Sequence, residues 1–497
     1  MTNVEPPSLE EQQPGIATLP FEPGLILVVS DQHLGAGLDV VTQRYHRGEN
    51  FFADEPFRAL LRQHAAQGIR DPLLVLAGDS FDFLRITDVP ITDADFEAWS
   101  WTLADLGHPQ EVEALRKLEA KEHRYGLRTD DYKCVWKLLH IARGHSGFFA
   151  ALGEWMQAGG WVTVMTGNHD VELYWPLVRR AIRREIALAC PGSPVSSRLH
   201  FVDSGMQVGN VYIEHGHQYE SVTAVKGDPV LAEGRELNLP LGSFVNRYLI
   251  NSLERLEPFL DNQKPVQQVL WTVVRRQPVE IGRIVWHGLP LLGRALKPYW
   301  FREWLGFAAF FASLILPAIT IVLVAGALVS PTLRQFLSRH LGAMQAPLGI
   351  LGALAPWILG TVRGLLPHRK PRVGEDHYAE GMHRTLARVG FPARHALVYG
   401  VLGHTHRADA QELPSISGQR VVYLNTGTWI PRWATDRPDL AGRVLYSFLR
   451  FTPESSGDYR HESLEWRPET STACPATIIS PQDRKSTRLN SSHPYRS

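Results

Sequence analysis

The sequence predicts a layered α/β fold, on three observations. Short apolar runs rich in Val, Ile and Leu recur along the chain, and each ends in a cluster of Asp, Asn, Gly or His. Charged sequence with helical spacing, such as Thr102–Leu152, lies between them. Runs this short and β-branched carry the pattern of buried strands rather than amphipathic helices. In order, Leu25–Val29 leads into Ser30-Asp31-Gln32-His33, Leu73–Leu76 into Gly78-Asp79, and Trp161–Met165 into Gly167-Asn168-His169-Asp170. Val211–Ile213 leads into His215, and Leu397–Leu402 into Gly403-His404-Thr405-His406. Ligands of layered α/β folds collect beyond the carboxyl ends of the strands, where several strand ends can aim side chains into one crevice.

The 497 residues suffice for two or three domains, and 44% hydrophobic with 21% charged residues is an ordinary folded composition. The 51 basic and 51 acidic residues cancel, which argues against a general polyanion binder, so no nucleic-acid partner is expected. Cys134, Cys190 and Cys474 are odd in number and widely spaced, and form neither a disulfide framework nor a cysteine zinc site. Residues 1–20, rich in Pro, Glu and Gln, read as a disordered tail; they lack the basic start and apolar stretch of a secretion signal. Asp483 to His493 matches the translation of a common sequencing adapter, so 483–497, within a tail from 471, is expected to be an artefact of assembly.

The composition changes after residue 300. Leu305–Val329 and Ala346–Val362 carry no charge, and the first is long enough to cross a bilayer. Gly and Pro are frequent in both, as membrane helices tolerate. Together they predict a transmembrane helical hairpin within 301–370, the alternative being a buried helical pair. Seven basic residues flank the pair (Arg294, Lys297, Arg302, Arg363, Arg369, Lys370, Arg372), against Arg334 and Arg339 between them. The positive-inside rule then places both outer ends, and the motif-bearing domain, on the cytoplasmic side of the cell membrane. Residues 226–300 form a basic and aromatic insertion, of which Trp271–Trp300 either lies along a membrane surface or packs as plain surface helix.

Taken singly, each polar cluster has a plain reading as a strand-ending turn. Their succession (Asp-x-His, Gly-Asp-x-x-Asp, Gly-Asn-His-Asp, His-Gly, Gly-His-x-His) resembles the calcineurin-like metallophosphoesterase superfamily. The likeness covers 21–225 and 371–470, with the insertion and hairpin between. Asn425-Thr426-Gly427-Thr428-Trp429 also resembles the superfamily. The bacterial UDP-2,3-diacylglucosamine hydrolases, which act at a membrane surface, are similar in layout. They commonly have Arg where this chain has His169, and their insertions are smaller.

The resemblance implies a four-layer α/β/β/α sandwich and two divalent metal ions (manganese, iron, zinc or cobalt). Asp31, His33 and His406 would hold one, Asn168, His215 and His404 the other, with Asp79 bridging. Mixed oxygen and imidazole donors suit such metals better than calcium. The implied reaction is hydrolysis of a phosphoester or pyrophosphate by attack of a metal-bridging hydroxide. His169 would face the leaving-group oxygen, with Asp82 fixing its tautomer. Asp170 is expected to bond loop backbone. His217 remains an alternative to His215, and Arg407 either reaches a substrate phosphate or is a plain loop arginine. The expected substrate is lipid-linked, or a soluble one met by an anchored phosphatase or phosphodiesterase. A non-catalytic membrane scaffold of the same fold is the alternative from another class.

Overall fold

The computed structural model describes residues 16–39, 41–231, 236–257, 377–434 and 441–476, with scattered positions between 259 and 287. The chain divides into two compact units, one of 1–247 with 377–497 and one of 248–376. The expected membrane spans 305–329 and 346–362, most of 271–300, residues 1–15 and the tail from 477 lie outside the described residues. Among the described residues no helix is long and apolar enough to cross a membrane.

The first unit is mixed α/β. Four parallel strands centre one sheet: β1 (Ile26–Val29), β2 (Leu73–Leu76), β3 (Trp161–Met165) and β4 (Leu199–Val202). The antiparallel strands Ser447–Pro453, Tyr459–Arg467 and Thr472–Pro475 extend it beyond β1. Parallel neighbours require crossover connections. These run through α1 (Asp54–Ala65), then α2 (Asp131–Gly144) with α3 (Ser146–Gln157), then α4 (Pro176–Ala189).

A second sheet has the parallel centre β5 (Val211–Glu214), β6 (Leu397–Leu402) and β7 (Gln419–Thr426). Gly205–Val208 lies antiparallel beside β5 and Ala408–Ile416 beside β7. The helix α5 (His377–Val389) covers its outer face.

The side-chain alternation of the strands sets the order of layers. Leu27, Val29, Leu74, Leu76, Val162 and Val164 join the crossover helices in one apolar cluster. Their neighbours Ile26, Val28, Leu73 and Val75 point the other way and meet Val211, Ile213, Val401 and Leu424 of the second sheet. On that sheet's far side Tyr212, Val398, Leu402 and Tyr423 pack against Met382 and Leu386 of α5. Strands buried on both faces need apolar residues at every position, which is why they stand out as continuous runs. Strands such as Tyr459–Arg467, partly exposed and mixed in composition, are not predicted by that pattern.

The first unit reaches Arg247, past the expected boundary at 225, because the chain folds back onto it. Within the helix Leu241–Val245, the Ser243 hydroxyl donates to the Asn168 carbonyl (2.6 Å). Arg247 then donates to the carbonyls of Gly126 and Leu127. In the second unit Leu253, Leu260, Val273 and Ile281 form a small apolar cluster among the described residues.

Candidate metal centre

The carboxyl ends of β1, β2, β3, β5 and β6 deliver the predicted residues to one place. One donor atom from each of Asp31, His33 and His406 lies within 4.8 Å of the others, as do those of Asp79, His215 and His404. His33 and Asp79 form a third such group with His169. Asp79 therefore belongs to two groups, and so does His33.

The loops that carry these residues are held in an uncommon backbone conformation. Asp31, His33, Asp79, His404 and His406 all have positive φ, between 49° and 65°. Such a conformation costs on the order of 1–3 kcal/mol per residue and persists where surrounding bonds over-determine it. Here Asp31 N donates to Gly78 O (3.1 Å), His33 N to Asp79 O (2.9 Å) and His404 N to Asp31 Oδ2 (2.9 Å). Gly78 has φ +90°, and a Cβ there would come within 2.5 Å of His215 Nδ1. At Gly167 a Cβ would come within 2.1 Å of Asp79 Oδ1. Both glycines let backbone pass close behind a candidate ligand.

Hydrogen bonds assign the histidine nitrogens. His215 Nδ1 lies 2.9 Å from the Ala77 carbonyl, to which it donates, and Nε2 stands 3.2 Å from Asp79 Oδ2, a closeness that needs a proton or a cation between them. His33 Nδ1 faces Asp82 Oδ2 at 3.1 Å, so its Nε2 is free to accept. That Nε2 stands 3.0 Å from His406 Nε2 and 3.8 Å from Asp31 Oδ1. Two imidazole nitrogens tolerate such closeness with a proton or a cation to share. His404 Nε2 lies 3.2 Å from Glu220 Oε2, which leaves Nδ1 as its accepting nitrogen.

Burial alone would raise the pKa of Asp31 and of Asp79, but His406 beside the first and His215 beside the second hold both carboxylates below their usual range. The reciprocal effect is large: burial disfavours protonated His215, yet the Asp79 and Asp31 carboxylates push its pKa up to about 10. The crevice thus stabilises positive charge strongly. Asn168 is buried and its side-chain Oδ1 has no hydrogen-bond partner. A buried amide oxygen without a partner is costly in water-free surroundings and is the donor type a divalent cation takes. The residues present fit a divalent metal.

Asp82 is fully buried and serves three cationic or protonated groups at one oxygen. Oδ2 accepts from His169 Nδ1 at 3.0 Å, from His33 Nδ1 at 3.1 Å and from Arg85 Nε at 3.1 Å. Against the effect of burial, His169, His33 and Arg85 keep its pKa well below the ordinary carboxylate range. Burial would lower the pKa of His169, but Asp82 and then Asp79 push it up to about 9. Asp170 accepts from the backbone N–H of Gly167 (2.5 Å) and Ser80 (2.9 Å), so it ties the β2 and β3 loops together.

Of the two histidines that local sequence does not separate, His215 is in a cluster and His217 is in none. The His217 ring lies 5.4 Å from that of His215, and burial with the nearby His215 and His404 lowers its pKa to about 3. Arg407 is half-buried, with Nε and Nη2 shielded and without hydrogen-bond partners. Thr428 Oγ1 donates to the Asp31 carbonyl (2.7 Å), and Asn425 Nδ2 to the Gly403 carbonyl (2.6 Å). The Asn425–Trp429 segment is therefore a clamp on two of the ligand loops.

Sequence reasoning does not reach Arg85, Glu220, Ser243 or Tyr378. Arg85 had a faint signal, lying three residues after Asp82 in the turn Phe83–Arg85. Tyr378 had none: its hydroxyl donates to Glu220 Oε2 (3.2 Å) across 158 residues of sequence. No known family model matches the chain, and no curated protein matches it either.

Proposed function

We propose that the chain is a phosphoester hydrolase with two divalent cations at this centre, anchored to a membrane by the segment 305–362. The observation that carries the proposal is the meeting of Asp31, His33, Asp79, His215, His404 and His406 from four strand ends, with Asp79 common to two clusters. Asp31, His33 and His406 would hold one cation and Asn168, His215 and His404 the other, with Asp79 between. Bound there, the metals would neutralise a phosphoryl group and acidify a water molecule.

The chain's own residues supply orientation and a proton. Asp82 holds His169 by Nδ1, so Nε2 is the nitrogen offered to substrate. Against the effect of burial, the Asp82 carboxylate beside it raises the His169 pKa and so favours the protonated form that protonation of a leaving oxygen requires. His217, kept neutral by burial and its histidine neighbours, presents no competing charge. The uncharged stretches 305–329 and 346–362 of the sequence favour a substrate at or in the membrane, such as a lipid-linked phosphoester or pyrophosphate.

The test is hydrolysis of a chromogenic phosphomonoester and diester, with and without Mn²⁺. Asp79→Asn is expected to lower the rate roughly a thousand-fold, the equivalent of about 4 kcal/mol of transition-state stabilisation. Wild-type protein that takes up two Mn²⁺ yet is no more active than Asp79→Asn overturns the enzyme reading in favour of a binding scaffold. Recovery of the full-length protein in the soluble fraction without detergent would overturn the anchor.

A further inference from the structure

Both places where the first unit gives way to the 248–376 unit lie on the same half of the metal centre. On the outgoing side, Ser243 stands just before Arg247 and donates its hydroxyl to the carbonyl of Asn168 at 2.6 Å. On the returning side, Tyr378 follows His377 and donates to Glu220 Oε2 at 3.2 Å. The same Glu220 oxygen lies 3.2 Å from His404 Nε2.

Each contact governs how a candidate ligand presents its donor atom. The bond to the Asn168 carbonyl fixes the backbone from which the partnerless Oδ1 projects. Glu220 fixes His404 in the tautomer that protonates Nε2 and leaves Nδ1 to coordinate. In the other half, the carboxylate that holds a ligand histidine comes from the first part of the chain. His33 is held by Asp82, which Arg85 holds in turn, all within the first 85 residues.

We propose that Ser243, Glu220 and Tyr378 are positioning residues for Asn168 and His404, so that one cation of the pair depends on how the ends of the inserted unit are held and the other does not. This rests on the two-cation reading. It makes the insertion a means of adjusting half of a dinuclear site. Partners of metal ligands typically change affinity or activity about 10–100-fold when removed.

The experiment is titration of metal-stripped full-length protein with Mn²⁺ by calorimetry and with Co²⁺ by visible absorption. Wild type should take up two equivalents. Ser243→Ala and Tyr378→Phe should each weaken one equivalent about 10-fold and leave the other within roughly two-fold. Ser243→Thr, which keeps the hydroxyl, should restore the wild-type titration, and Asp82→Asn should weaken the opposite equivalent. Wild type that binds fewer than two equivalents overturns the two-cation reading itself. Two wild-type equivalents that shift together, or do not shift, in the Ser243 and Tyr378 variants overturn the positioning role while leaving that reading intact. Should a variant lose its cooperative melt, Glu220→Gln at the half-exposed end of the chain of contacts takes its place, and an unchanged titration there is equally decisive.

Discussion

Two carboxylates each hold a histidine of the centre, and they do so from different surroundings. The Asp82 side chain has no exposed surface and binds His33, His169 and Arg85 through one oxygen. Glu220 is 40% exposed at its side chain and holds His404 with help from Tyr378. Charge interactions strengthen in low dielectric, and exposed pairs are screened by water and salt. The half whose histidine is held by buried Asp82 is therefore expected to be the rigid one, and the half whose His404 is held by part-exposed Glu220 the more adjustable one.

Among changes that separate the two halves, the largest expected effect lies on the rigid one. Asp82→Ala should lower kcat about 10–100-fold through loss of His33 and His169 orientation. It should also destabilise the fold by about 3–5 kcal/mol, because buried Arg85 loses its carboxylate. Activity and denaturant unfolding together check this, and losses no greater than those of Glu220→Gln would erase the contrast.

Next in size is the docking of α5, the helix that brings Tyr378. Met382 is fully buried, and a Cβ on Gly400 would come within 2.5 Å of its Cγ, so helix and β6 are in close approach. Met382→Ala should cost about 2–5 kcal/mol of stability by urea unfolding. Its effect on metal uptake should fall on the adjustable half.

A pH effect of similar size belongs to the interior. His145 is buried between Glu49 (3.2 Å) and Asp54 (3.0 Å), and Glu49 in turn receives the backbone N–H of Gly37 and Phe51. Burial would lower the His145 pKa, but Glu49 and Asp54 push it up to about 9. A pKa raised on folding contributes stability that is complete below the unfolded value near 6.5 and is lost as pH rises through about 9. Wild type should thus lose about 3 kcal/mol between those limits, and His145→Gln should show a flatter dependence of melting temperature on pH. An equally steep decline in that variant would reject His145 as the source.

The smallest effect is expected from Glu220→Gln. It should reduce activity about 10-fold or less, and added salt should narrow its difference from wild type. An effect as large as that of Asp82→Ala, insensitive to salt, would show that both halves are equally rigid.

Much of the centre was legible because each candidate ligand directly follows a strand buried on both faces. Continuous apolar runs mark such strands, and Asp31, Asp79, Asn168, His215 and His404 sit within a few residues of their ends. The mixed α/β class follows from the same runs and the helices between them. Glu220, Ser243 and Tyr378 were not legible, because a half-buried Glu, a Ser in a short helix or a Tyr at a helix start has no local pattern that separates it from any other. Nor could the apolar runs show that Ser243 and Arg247 fold back onto the first unit.

The sequence by itself determined which donor types stand at which strand ends, since composition and periodicity are local properties. Tertiary structure separates His215 from His217, which lie two residues apart in the same polar segment. His215 Nδ1 meets the Ala77 carbonyl and its Nε2 lies 3.2 Å from Asp79 in a cluster with His404, whereas His217 belongs to no such cluster among the described residues. It also decided that Asp82 serves His33 as well as His169. Both outcomes depend on groups brought together from separate strands, and a hydrogen bond between such groups has no trace in the sequence around either one.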